Sequence, residues 1–162
     1  MANSDQITAS NIDTSQLLLI VVGAHLRAEV ADRPLAYWIS GRIEDWLEKY
    51  QDELNSPFLP VVCSDVWYVN HEQLQQRPTI CIGGPGVNAL SSYFRKDLTT
   101  ALILEDKLII QLDPEFVDLR VCIWGMNHTL THEAVKTFTT KYLDQYLRAV
   151  ATQVEPHDEH DS

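Results

Sequence analysis

Residues able to do chemistry gather at four places in this chain, each just past a short apolar run. His25, Arg27, Glu29, Asp32 and Arg33 follow the first run, and Ser64 with Asp65 closes the second. Gly83-Gly84-Pro85-Gly86, with Asn88 close behind, follows the third, and Asn127 with His128 follows the fourth. Carboxylates beside imidazoles are the groups of acid–base and nucleophilic catalysis. Glu29, Asp32 or Asp65 would serve as nucleophile or base and His25 or His128 as acid, in hydrolysis or transfer at a nucleotide, ester or glycosidic bond.

The glycine turn suggests binding instead. Glycines accept positive φ and close backbone approach, while Pro85 fixes one φ between them, so the turn can face its N–H groups outward. A helix opening at Asn88 would add free N–H groups and the positive end of its dipole, a setting that suits a phosphate or carboxylate. In this reading Asp65 takes ligand hydroxyls, and His25, Arg27, Asn127 and His128 supply charge and hydrogen bonds. Arg27, Arg33 and Arg95 would offset the negative field of the chain.

Known signatures are missing from these stretches. Gly-Gly-Pro-Gly is neither a dinucleotide fingerprint nor a P-loop, and the chain has no Gly-x-Ser-x-Gly elbow. Structural readings compete throughout: the turn can simply let a helix pack against its strand, and Arg27, Glu29, Asp32 and Arg33 can pair with one another. No metal site is expected, because a last helix starting near Thr131 would separate His128 from His132. No cofactor is assigned.

The elements that must position these residues follow from periodicity. Residues 15–22 form an apolar run without alternation, as in a strand buried on both faces. Residues 58–63, 78–82 and 119–124 read as further strands, with Pro60 marking the first of these as an edge or as a strand that begins only at Val61. Leu35, Ile39, Ile43, Trp46, Leu47, Tyr50 and Leu54 recur at helical spacing, predicting a helix of about 20 residues. It opens at Asp32 and Pro34 and ends at Asn55-Ser56-Pro57. Its acidic outer face, Glu44, Asp45, Glu48, Asp52 and Glu53, faces solvent, while Gly41 is expected to pack closely on the sheet. A short helix spans 89–96, and residues 100–104 and 107–112 form a hairpin across Glu105-Asp106. Val135, Phe138, Tyr142, Tyr146 and Val150 mark the core face of one last helix.

This order predicts a single-domain α/β fold, three-layer, with a mostly parallel Rossmann-like sheet and an antiparallel β-hairpin insertion. The domain spans residues 15–151, between a flexible leader at 1–14 and a disordered acidic tail at 152–162. The carboxyl ends of the parallel strands share one edge, so all four clusters meet there.

Composition narrows the function. Twelve Lys plus Arg against 23 Asp plus Glu give a net charge of −11, which disfavours nucleic acid. The longest apolar run is too short for a membrane span, and the first residues carry no secretory pattern. A cytoplasmic location follows, consistent with three widely spaced cysteines, Cys63, Cys81 and Cys122, read as small buried hydrophobes. The expected function is binding of a small polar or anionic, nucleotide-like ligand at the carboxyl edge. The alternatives are a hydrolase or transferase on a nucleotide or glycosidic bond, and a non-catalytic module that meets a protein partner or a second copy.

Overall fold

The computed structural model describes residues 14–54, 58–104 and 107–153. The expected leader, most of the acidic tail, Asn55-Ser56-Pro57, the Glu105-Asp106 turn and the Arg95 side chain lie outside the described residues.

The fold is built around β1 (Leu17–Val22), all six residues of which are buried. Side chains alternate across a strand, so Leu18, Ile20 and Val22 enter one core while Leu17, Leu19 and Val21 enter the other. Each such side chain contributes roughly 1.5–3 kcal/mol by leaving water. Strands β2 (Leu59–Ser64) and β3 (Thr79–Ile82) flank β1, both parallel to it. Pro60 sits in β2, the sheet edge, where a missing N–H is tolerated. Beyond β3 the hairpin β4 (Thr100–Leu104) and β5 (Leu108–Gln111) joins β6 (Arg120–Gly125). The order is β2-β1-β3-β6-β5-β4, with β3 and β6 parallel and the β5 pairings antiparallel.

Helices cover both faces. On one, α1 (Leu26–Ala31) leads into α2 (Arg33–Tyr50), and α5 (His128–Lys141) is followed by α6 (Leu143–Gln153). Ile39 and Ile43 of α2, Phe138 of α5 and Tyr146 of α6 pack there with Ile20, Ile80 and Ile123. On the other lie α3 (Asp65–Val69), a 3-10 turn at Glu72–Gln76 and α4 (Ala89–Asp97), which supply Tyr68, Leu74, Leu90 and Phe94. The result is the three-layer, mostly parallel, Rossmann-like sheet expected from the strand and helix order. The chain leaves β1 toward one face and β3 toward the other, so the two connections diverge at the carboxyl edge and leave a crevice between them.

Several local expectations are corrected. The long helix stops at Tyr50 and gives way to a 3-10 turn at Gln51–Glu53, short of the expected end at Asn55-Ser56-Pro57. A separate helix, α1, precedes α2. Pro34 cannot donate to the carbonyl of Val30 and its ring crowds that group, so the helix breaks at Asp32. Gly41 touches no part of the sheet: nothing lies within 4 Å of a Cβ built there, because Ile39 and Ile43 take the buried side of α2. The last helix begins at His128 rather than near Thr131, capped by Asn127, and it breaks at Tyr142, so the expected single helix is two. Thr152 and Gln153 belong to α6 rather than to the tail. Glu44, Asp45, Glu48, Asp52 and Glu53 are exposed as expected, and the three cysteines are buried and form no disulfide with one another.

Candidate functional site

At the crevice, a cleft of about 520 Å³ opens between α1, the glycine turn after β3 and the start of α5, which is room for a small molecule. Three of the four strand exits line it and the β2 exit does not. Arg27, Asp32, Gly83, Gly84, Asn127 and His128 are the expected residues that reach it. His25, Glu29, Arg33, Ser64, Asp65, Gly86 and Asn88 do not line it.

The residues that do not line the cleft carry structural duties. His25 caps α1, its Nδ1 accepting from Arg27 N at 3.1 Å, and Ser64 caps α3 through Trp67 N at the same distance. Arg33 donates to Glu29 at 3.0 Å, an exposed pair one helical turn apart. Asp65 is buried, and its two oxygens accept from Ala24 N at 3.0 Å and Ala89 N at 2.8 Å. A carboxylate on backbone N–H groups is a strong, charge-assisted contact, so Asp65 ties the β1 exit to the first residue of α4. Asn88 is fully buried. Its amide donates to Val21 O and Ile82 O, joining the exits of β1 and β3, while its oxygen accepts from Leu90 N.

The row of free N–H groups expected after the glycine turn is therefore largely taken up. Ala89 N and Leu90 N are held by Asp65 and Asn88, and Val87 N and Asn88 N both donate to Gly84 O. The side chain of Asp65 occupies the place where a bound anion would meet Ala89. Gly23 must be glycine, since a Cβ there would lie 1.6 Å from Val87 O. Gly83 has φ +109°, which L side chains rarely adopt.

Asp32 stands apart. It occupies the elbow between α1 and α2, is 5% exposed, and lines the cleft wall beside Gly83. A Cβ at Gly83 would sit 2.7 Å from Asp32 Oδ2, so the glycine leaves room for the carboxylate. Among the described residues no side chain or N–H group hydrogen-bonds this carboxylate; it does not cap α2. Burial lifts it to about 6 from 3.8, and the nearby charge of His128 pulls it partly back.

The remaining walls are apolar. Leu26, Val30 and Met126 form exposed lips, at 73–77% exposure, and Val87 and Ala31 lie deeper. Thr131, missed because the last helix was expected to start there, lies one turn inside it; its Oγ1 accepts from Gly125 N at 3.0 Å. The Asn127 signal for an earlier start was present, since asparagine three residues before Leu130 makes a good cap. Trp124 closes the glycine turn from below, 3.1 Å from where a Gly84 Cβ would be.

A second hollow of about 380 Å³ on the opposite face is lined by Tyr93, Phe94 and Arg120. Its guanidinium is already held by Asp118 at 2.7 Å and Asp97 at 3.4 Å. Among the described residues no three His, Cys, Asp or Glu side chains converge as a metal site would require, and no helix is long and apolar enough to cross a membrane. Fold and cleft together define an α/β domain with a small-molecule-sized crevice at its topological switch point. Comparison with known protein families, curated proteins and solved structures returns no match, so the particular reading rests on the geometry of the cleft.

Proposed function

We propose that this chain binds a small polar, nucleotide-like ligand in the cleft at the carboxyl edge of its sheet. One observation carries the reading: Asp32, a residue only 5% exposed, lines a cleft of ligand size, and none of the described residues hydrogen-bonds its carboxylate. Burying a charge without a partner costs stability, and folded chains keep such groups mainly where a ligand or substrate completes them. The placement supports this, because open α/β sheets bind ligands outside the carboxyl ends of their strands where the connections diverge. Arg27, His128 and Asn127 at the mouth supply the remaining polar contacts, and the apolar lips exclude water. Three buried cysteines that form no disulfide with one another favour a reducing compartment such as the cytoplasm.

A second reading, hydrolysis or transfer, is favoured by one specific feature. A carboxylate lifted to about 6 beside an imidazole is matched to general acid–base work near neutral pH. Both readings use the same cleft and are separated by whether the bound compound is turned over.

The test is a thermal-shift screen of the chain against nucleosides, nucleotides, sugar phosphates, amines and simple anions, repeated with Ala31→Phe, which narrows the cleft. A ligand at about a hundred times its dissociation constant stabilises the fold by about 2.7 kcal/mol. A rise in melting temperature with one compound class, abolished in the variant, supports the cleft. A rise that Ala31→Phe leaves intact sinks it.

A further inference from the structure

We infer that Asp32 receives a planar N–C–N edge carrying two N–H donors, the chemistry shared by a guanidinium group and a guanine-type base. The inference rests on the cleft reading above and names the ligand class. The two oxygens of a carboxylate match a fork of two parallel N–H donors, which adds geometric specificity to charge attraction.

Three features of the cleft select this edge over an anion. The buried acid of its wall, Asp32, is hydrogen-bonded by none of the described residues, although Arg27 and His128 share the lining. The amides best suited to a phosphate are occupied: Asp65 and Asn88 hold Ala89 N and Leu90 N, and the glycine turn closes on its own Gly84 O. Beside Asp32 the cleft is lined by Gly83 and Gly84, which carry no side chain, and by Val87. A planar group can lie on that lining with its edge against the carboxylate. The overall charge of −11 adds attraction for a cationic form.

Few other charges face Asp32. His128 faces it from α5 and Arg27 lines the cleft from α1; Arg33, the next residue on α2, is paired with Glu29, and the glycine turn has no ionisable side chain. Neither cation hydrogen-bonds the carboxylate, so the ligand completes it.

Calorimetric titration of the full chain near pH 7.5 with agmatine, guanosine, adenosine and inorganic phosphate tests the inference. Agmatine or guanosine should bind at least about tenfold more tightly than adenosine, whose edge pairs a donor with an acceptor, and than phosphate. Whichever of the two binds better names the source of the edge. Asp32→Asn should weaken that binding by at least about tenfold while melting no lower than the parent chain. Between about pH 7 and pH 5 affinity should fall by about tenfold as Asp32 protonates. The inference is overturned if neither probe binds, if adenosine or phosphate binds as well, or if Asp32→Asn has no effect. An unaffected Asp32→Asn combined with binding lost in Ala31→Phe would leave the cleft standing and remove only the edge. Binding intact in both variants would remove the cleft as well.

Discussion

Asp65 and Asp32 are both 5% exposed, and they lie on opposite faces of the sheet beside the β1 exit. Asp65 sits at the start of α3 with two backbone N–H groups on its two oxygens. Asp32 sits at the start of α2, equally buried, with none. The first has its burial cost offset inside the fold, and the second does not. A buried acid that the fold completes is part of the scaffold; one that the fold leaves open is the group on which the proposed ligand contact rests.

The largest effect should come from Gly23→Ala, which attacks both sides at once. Its Cβ would collide with Val87 O and push the glycine turn off the β1 exit, opening the Asp65 bridge and deforming the cleft. A loss of more than about 4 kcal/mol, or no folded protein, is expected by urea denaturation. Wild-type stability would show that the turn can move freely and that neither aspartate is held as described.

Asp65→Asn keeps the shape but replaces one acceptor oxygen by an amide that confronts a backbone N–H. Chemical denaturation should show a loss of about 2–3 kcal/mol. An unchanged midpoint would break the comparison from the scaffold side.

Asp32→Asn should do the opposite. The folded-state value of about 6 lies above the unfolded 3.8, so the folded state holds this proton more tightly. The contribution of Asp32 to stability is present in full below about pH 3.8 and is lost as the pH rises through 6, by up to about 3 kcal/mol and less where water reaches the carboxylate. The variant should therefore melt several degrees above the parent near pH 7.5, with the gap closing toward pH 4. A variant that melts lower at neutral pH would show that Asp32 is bonded in the fold after all.

The smallest effect is expected from Gly84→Ala. Trp124 Cδ1 would have to give by a few tenths of an ångström from 3.1 Å, so stability should change by less than about 1 kcal/mol. Tryptophan emission should shift nonetheless, reporting that Trp124 packs beneath the glycine turn. An unaltered spectrum would place Trp124 away from the turn.

Much of this was legible in the residue order. The run around Leu17–Val22, the helical spacing from Leu35 to Leu47, the hairpin ahead of β6 and the proline in an edge strand follow from local periodicity and backbone chemistry. The meeting of the strand exits at one carboxyl edge followed too, because parallel strands separated by helices must end together. The α1 break was readable in Pro34 and the α5 start in Asn127, although the apolar stripe beyond Thr131 drew the helix start too late. What each polar group does at the edge was not legible. Asp32 and Asp65 both follow an apolar run and both precede a helix, and nothing in their neighbours along the chain separates them. Only packing three-dimensionally remote backbone against them does so: Ala24 and Ala89 close on Asp65, whereas Gly83 meets Asp32 without offering a donor. Sequence by itself determined the sheet, its layers and the edge, since these depend on side-chain periodicity and chain connectivity. The tertiary structure alone decided which of two equally buried carboxylates is satisfied, since a hydrogen bond depends on ångström-scale placement of groups far apart in the chain.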